Sequence, residues 1–232
     1  MEFDAAEVKR KYTGELPIGY GKGSLSSLGE WAHYLASISI TRAFRFGARK
    51  RYALRASHVK EGDAVIVFCC GTGDDFPHIL ERTGDAGRIL GVDFSPAMLE
   101  VARDRVGRAA WSNVDLLEAD VTEFENESDS YFDCGICTLG MSIIPEWRKA
   151  YHNLLSHVKP GGEVIIGDLQ LATGWRSLIN APIMTWVKKY GGSYEGHKNS
   201  RELFSLMERG LSEVSRQEYS LGSYCCCIGK KP

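Results

Sequence analysis

The sequence has no long apolar run and no excess of charge of either sign. No stretch approaches the ~20 consecutive apolar residues that cross a bilayer, so a multi-span membrane protein is excluded. The 28 Lys and Arg nearly balance the 30 Asp and Glu, for a net charge of −2. That balance leaves no global basic footprint, and no nucleic-acid partner is expected. Arg42, Arg45, Arg49, Lys50, Arg51 and Arg55 do cluster, and they read as a solvated helix face. Met1-Glu2-Phe3-Asp4 has neither a basic n-region nor an apolar h-region, so no secretory signal is expected. Repeats and low-complexity segments are missing. So is a Gly-Lys-Ser/Thr that would close a P-loop: Gly19 to Gly23 reads as an ordinary loop.

What is present is ordinary globular composition: 232 residues, 44% hydrophobic and 25% charged. The seven cysteines are an odd number and sit mostly in apolar runs: Cys69-Cys70, Cys134, Cys137 and Cys225-Cys226-Cys227. Such thiols behave as small hydrophobes in a reducing compartment, so a cytoplasmic protein is expected. Cys134-Gly-Ile-Cys137 is formally C-x-x-C, but residues three apart on a strand point to opposite faces. No second pair has zinc-finger spacing, and no metal is expected. Cys225 to Cys227 are placed near the far edge of the sheet.

Along the chain, strand-like and helix-like segments alternate. Apolar runs at 64–69, 88–93, 114–118, 131–138 and 163–168 read as strands. Helices are expected over 74–82, from Ser95-Pro96 onward, from Pro145 to about His157, and over 200–209; Ser95 is an N-cap with proline at the first helical position. Five strands separated by helices imply right-handed crossovers and a parallel sheet. Two further β-rich runs, 213–220 and 223–228, are split by Leu221-Gly222 and suggest an antiparallel hairpin at the sheet edge. The expected architecture is a Rossmann-like, seven-stranded, mostly parallel α/β sheet forming one structural domain. Residues 1–60 form an N-terminal helical cap or lid, residues 61–232 the core, and residues 171–200 a substrate-covering insertion. Within it, Trp175, Leu178, Ile179, Ile183, Met184, Trp186 and Val187 are unusually apolar, with Lys188 and Lys189 following. It reads as a lid over an apolar substrate, as a helix dipping into a membrane surface, or as plain core packing.

Phe68-Cys69-Cys70-Gly71-Thr72-Gly73-Asp74 follows a strand and opens a helix. Glycines there permit close backbone approach, and the helix N-terminus offers N–H donors. Twenty residues after Gly73, Asp93 ends the next strand, where a carboxylate can accept from a ribose diol. A nucleoside-containing cofactor follows. A dinucleotide fingerprint needs a third glycine where this chain has Phe76. Asp74 and Asp75 would also repel a pyrophosphate, whereas S-adenosylmethionine is cationic and carries no phosphate. The methyl donor is therefore favoured over NAD.

Taken together, Val65–Gly73, Gly91–Leu99, Glu118-Ala119-Asp120-Val121 and Val158–Gly162 resemble class I S-adenosylmethionine-dependent methyltransferases, over about residues 30–170. Ser142-Ile-Ile-Pro-Glu-Trp-Arg148 is similar to lipid-amine N-methyltransferases of the phosphatidylethanolamine and betaine-lipid type, with quinone C-methyltransferases as near neighbours. Trp31-Ala-His-Tyr34 resembles their Trp-Ala-x-x-Tyr-Asp element, with the tyrosine one place early and followed by Leu35 in place of Asp. The chain departs from the family at Val67, usually acidic, and at Cys69, usually glycine. The resemblance implies that Cys69, Gly71, Thr72 and Gly73 surround the cofactor, Gly71 and Gly73 facing its methionine portion. Asp93 would bind the ribose, with Phe94 and Met98 flanking the adenine. Asp120 would meet the adenine amino group beside Val121, and Thr138 and Leu139 would line the floor near the methyl group. No dedicated base stands out; His33 and Tyr34 are the candidates near substrate, ahead of His78, His152 and His157.

The expected activity is transfer of the methyl group to a small, apolar or lipid-linked acceptor, with an amine favoured and peripheral membrane contact allowed. A non-catalytic cofactor-binding or partner module is the alternative, kept open by Val67 and Cys69. An NAD-dependent oxidoreductase ranks third.

Overall fold

β-branched and apolar segments become strands because their side chains are buried on both faces of a central sheet. The computed structural model describes residues 53–125, 131–188 and 192–232. In chain order it contains β1 (Ala64–Phe68), α1 (Phe76–Thr83), β2 (Arg88–Asp93), α2 (Pro96–Ala109), β3 (Val114–Glu118) and β4 (Phe132–Thr138). These are followed by α3 (Trp147–His157), β5 (Val158–Leu169), α4 (Asn180–Val187), α5 (Tyr194–Gly210), β6 (Ser212–Tyr219) and β7 (Tyr224–Lys230). Short 3-10 turns occupy Met141–Ile143, Gly174–Ile179 and Ser220–Gly222. All but the last residues of the expected 1–60 cap lie outside the described residues.

The strands form a seven-stranded sheet of order β3-β2-β1-β4-β5-β7-β6. β1 to β5 are parallel, and β7 runs antiparallel to both β5 and β6. The expected Rossmann-like sheet with a C-terminal antiparallel hairpin is what forms. Two details differ. The hairpin's last strand inserts beside β5, so β6 is the outer strand and Cys225 to Cys227 are buried inside the sheet. The connection is also longer than the two residues of Leu221-Gly222: Ser220, Leu221 and Gly222 all take positive φ (49°, 57° and 86°) before Ser223 returns to the right-handed region.

Alternation along the strands divides the core. Val65, Val67, Ile136 and Ile165 face α1, α2 and α4, which contribute Phe76, Ile79, Leu99 and Met184. Ile66, Phe68, Cys137 and Ile166 face α3 and α5, which contribute Trp147, Leu154, Phe204 and Met207. Cys134 and Cys137 accordingly lie on opposite faces. α2 starts as its sequence indicates: Ser95 Oγ accepts from Met98 N at 3.4 Å, and Pro96 sits where no N–H is required. α5 is longer than the 200–209 periodicity indicates. It begins at Tyr194, inside the stretch read as an insertion, and Ser193 Oγ caps it from Gly196 N at 2.9 Å. Small and polar Gly196, His197 and Ser200 hide an apolar stripe there, yet all three are buried.

The sheet reverses its order between β1 and β4, the point at which such sheets open a crevice at their carboxyl edge. Cys69, Asp93, Thr138 and Asp168 all stand on that edge, at or just past their strand ends.

Candidate active site

The glycine loop is held by its backbone. Cys70 N donates to Val92 O at 3.1 Å, Gly71 N to Asp93 Oδ2 at 2.8 Å, and Gly73 N to Cys70 O at 3.0 Å. The turn is left-handed at Cys69 (φ 52°), Gly71 (54°) and Gly73 (74°). The two glycines serve different ends. Among the described residues, a Cβ on Gly71 would meet nothing within 4 Å, which leaves open space over it. A Cβ on Gly73 would lie 2.6 Å from the Phe76 ring, and one on Gly91 2.7 Å from Phe76 Cζ. Phe76, fully buried, thus fills the gap between loop and β2 where a dinucleotide fold keeps its third glycine. Thr72 is buried beneath the turn.

The carboxylates separate into two kinds. Asp74 is exposed and paired with Arg105 at 2.5 Å, so its field is largely answered. Asp75 and Asp93 are buried, at 5% and 7% exposure. Asp75 Oδ2 accepts from Thr138 Oγ1 at 2.5 Å, tying the start of α1 to the end of β4. Asp93 Oδ1 accepts from Ser95 N at 2.9 Å while Oδ2 holds Gly71. Burial pushes the Asp93 carboxyl up, against the pull of the Ser95, Gly71 and Phe94 N–H groups.

Past β4, Leu139 is left-handed (φ 57°) and donates its N–H to Gly167 O at 2.7 Å. Gly140 lies against the glycine loop: a Cβ there would be 2.7 Å from Cys69 Cβ and 2.9 Å from Cys137 Sγ. Cys69 thus takes its side chain into the space between two loops. Its hydrogen bond with Cys137, and then burial, raise its thiol well above the usual range. Such a thiol is a packing group with little nucleophilic character.

The remaining expected residues are spread around the same edge. Phe94 is half-buried and Met98 is 4% exposed. Asp120 Oδ1 accepts from Thr122 N at 3.0 Å and from Thr122 Oγ1 at 2.8 Å, closing its own turn. Val121 is buried, and its carbonyl accepts from Asn153 Nδ2 at 2.9 Å. His33 and Tyr34 lie outside the described residues. Among the described residues, no group of three or more His, Cys, Asp and Glu is arranged to hold a metal ion.

Two residues that the sequence did not single out, Asp168 and His197, lie at this edge with Ser142, the first residue of the Ser142–Arg148 segment. Asp168 is fully buried and pushed up to about 6 by desolvation. It accepts from Ser142 Oγ, Ser142 N and Leu169 N, each at 2.7 Å. His197, 1% exposed, is held at Nδ1 by Ser193 O at 2.8 Å, and its buried Nε2 has no hydrogen-bond partner among the described residues. Desolvation lowers it to about 4, so it is neutral at pH 7. The available signal is local: Asp168 follows an apolar run one residue before β5 ends, much as Asp93 follows one at the end of β2.

Open space over Gly71 beside buried carboxylates fits a cationic, phosphate-free nucleoside. The fold agrees with that class. A methyltransferase of Aquifex aeolicus described as SAM-dependent superposes with a TM-score of 0.61 at 16% identity, covering 98% of each chain. Phosphoethanolamine N-methyltransferase 2 of Haemonchus contortus, solved with S-adenosyl-L-methionine, gives 0.63 at 18% identity over 79% of this chain and 52% of its own. In sequence, demethylmenaquinone methyltransferase of Bacillus cereus is 28% identical over 208 residues, 81% of this chain and 86% of that protein. The Oceanobacillus iheyensis protein of the same name is 24% identical over 220 residues, 87% and 91%. The profile of the ubiE/COQ5 methyltransferase family matches residues 36–190. The chain belongs to that family and is an S-adenosylmethionine-dependent methyltransferase.

Proposed function

We propose that this methyltransferase acts on an amine nitrogen of an apolar, lipid-linked acceptor at a membrane surface. The carrying observation is the segment that leaves β5 at its carboxyl end. Trp175 and Leu178, three residues apart, are 74% and 82% exposed, while Met184 and Val187 further along are buried. The base of the segment is fixed: Asn180 bonds both the N and the O of Ala172, at 2.9 and 3.0 Å, and Arg201 holds Leu171 O at 2.7 and 2.9 Å. Arg176 lies 5.8 Å from the Trp175 ring. Exposed Trp and Leu beside a cation suit the boundary between headgroups and acyl chains. No helix among the described residues is long and apolar enough to cross a membrane, so the contact is peripheral. The seven free thiols fit a reducing, cytoplasmic setting.

Bound S-adenosylmethionine supplies a methyl group already activated on a sulfonium. The chain's task is then to hold and align. A carboxylate offers about four acceptor directions, and backbone N–H groups occupy three at Asp93; it takes one ribose hydroxyl with the fourth. Asp120 and Phe94 take the adenine end, and Gly71 leaves room for the methionine portion. Thr138 and Leu139 form the floor. An amine attacks through its own lone pair once its proton is lost, whereas a ring carbon needs a base to deprotonate its phenol. Among the described residues, the one buried histidine is His197, a poor base at about 4. The likeness of Ser142–Arg148 to lipid-amine enzymes supports the same reading. A quinol ring carbon is the second reading, favoured by relatives named demethylmenaquinone methyltransferase.

Incubation with methyl-labelled S-adenosylmethionine and a cellular extract tests the proposal. Label should enter the organic-soluble lipid fraction; label confined to water-soluble metabolites contradicts it. Trp175→Ser with Leu178→Ser should weaken binding to anionic vesicles about tenfold, with the melting temperature unchanged.

A further inference from the structure

We propose that Asp168 is a positioning residue that sets the loop after β4 through Ser142, and that its ionised form is required for methyl transfer but not for binding the cofactor. The proposal rests on the methyl-transfer reading above and extends it to a residue that touches neither cofactor nor acceptor.

The geometry is a chain of contacts. Asp168 is the penultimate residue of β5, and both its oxygens face the turn Met141–Ile143. Oδ2 accepts the Ser142 N–H and Oδ1 accepts the Ser142 hydroxyl and the Leu169 N–H. From the opposite side, Gly196 of α5 presses on Ser142: a Cβ on Gly196 would run into the Ser142 carbonyl. Ser142 is thus clamped between a carboxylate and a helix, with 3% of its surface exposed. Two residues back, Gly140 packs on Cys69 and Cys137. Leu139, strained at φ 57°, bonds Gly167 O, and Thr138 bonds Asp75. The segment 138–142 therefore joins the glycine loop to β5 and α5, and Asp168 is the charged group that fixes its far end.

Protonation changes what Asp168 can do. The ionised carboxylate only accepts hydrogen bonds, and every group facing it on the turn is a donor. A proton on Oδ2 would face the Ser142 N–H, which cannot accept it, and a proton on Oδ1 would turn the Ser142 hydroxyl from donor to acceptor, so the bonding at Ser142 changes either way. Burial raises the Asp168 carboxyl to about 6, which puts this change within reach of mildly acidic conditions. Three neighbouring groups are shifted away from that range. Cys225 on β7, paired with Asp168 in register, is pushed up to about 11. His197 on α5 is lowered to about 4, and Tyr151 on α3 is pushed up to about 12. Arg216 on β6 is held by Glu208 and Glu218, and Glu163 sits at the far end of β5.

The experiment uses the full chain, wild type and Asp168→Asn, Asp168→Glu and Ser142→Ala. Two readouts are followed: the Ser142 and Leu169 amide resonances from pH 4.5 to 8, and S-adenosylmethionine affinity with turnover over the same range. In the wild type both amides should titrate together with a midpoint near 6, and in Asp168→Asn neither should. Cofactor affinity should stay within about twofold in all three variants. Turnover should fall about 10- to 100-fold in Asp168→Asn with its acid limb abolished, less in Ser142→Ala, and recover in part in Asp168→Glu. Flat amide resonances in the folded wild type overturn the proposal whether or not an acceptor has been found. So does Asp168→Asn turning over at the wild-type rate. Titrating amides without turnover on any acceptor would retain the anchor, remove its link to catalysis, and count against the lipid-amine reading.

Discussion

Asp93 and Asp168 do the same local job in two halves of the sheet, with different consequences. Asp93 ends β2 and Asp168 is the penultimate residue of β5, and each accepts the backbone N–H of the loop beyond a neighbouring strand: Gly71 for Asp93, Ser142 for Asp168. Asp93 keeps 7% of its surface and lies beside the open space over Gly71; Asp168 keeps none. A carboxylate at a strand end first staples a loop to the sheet. Whether it also meets a ligand depends on what covers it, and here α5 and the turn after β4 cover Asp168.

The largest effect that tests this contrast is on cofactor affinity. Asp93→Ala removes the acceptor for Gly71 N and, on the proposed reading, a ribose contact with it; S-adenosylmethionine binding should weaken about 100-fold or more by calorimetry, from two charge-assisted bonds of about 1.5–3 kcal/mol each. An Asp93→Ala affinity within about twofold of wild type would remove the distinction between the two carboxylates.

A second effect concerns acid stability, where two buried groups act with opposite sign. His197 is depressed from 6.5 to about 4, so the unfolded chain binds its proton first and stability falls as pH drops through that window. Asp168 is raised from 3.8 to about 6, so the folded chain binds its proton first and stability rises as pH drops from 6 toward 3.8. Each contributes about 3 kcal/mol at most, and in the wild type they largely offset each other between pH 4 and 6. Melting curves should therefore show His197→Gln losing less stability on acidification than wild type, and Asp168→Asn losing more. The same slope in all three proteins would contradict these assignments.

The smallest effect is at Cys69. Its left-handed backbone costs an L-residue about 1 kcal/mol, so Cys69→Gly should leave stability within about 1 kcal/mol of wild type on denaturant titration, relieved strain offsetting lost packing. A loss of several kcal/mol would mean that the Cys69–Cys137 contact holds the two loops together.

What could be read from the residues depended on how far apart the partners are. The strands announce themselves as apolar runs, and Ser95-Pro96 marks the start of α2 because capping is local. Gly71 to Asp93 spans a single βαβ unit, so its spacing carries the nucleoside inference. Ser142 and Asp168 are 26 residues apart and Thr138 and Asp75 are 63 apart, across strands whose order the sequence does not state. Asp168 follows an apolar run much as Asp93 does, but its partner Ser142 lies 26 residues away and no local spacing marks the pair. The first turns of α5 were hidden because Gly196 and His197 are there for close contact and hydrogen bonding rather than for an apolar stripe. The insertion of β7 beside β5 is likewise a long-range choice, legible only once Tyr224 to Lys230 are seen paired with Glu163 to Leu169.

The central claim, an amine on a lipid-linked acceptor, is tested most directly by locating the transferred methyl group. Product formed from methyl-labelled S-adenosylmethionine and a lipid extract should, on fragmentation in a mass spectrometer, carry the label on a headgroup nitrogen. Label on a quinol ring carbon would contradict the claim.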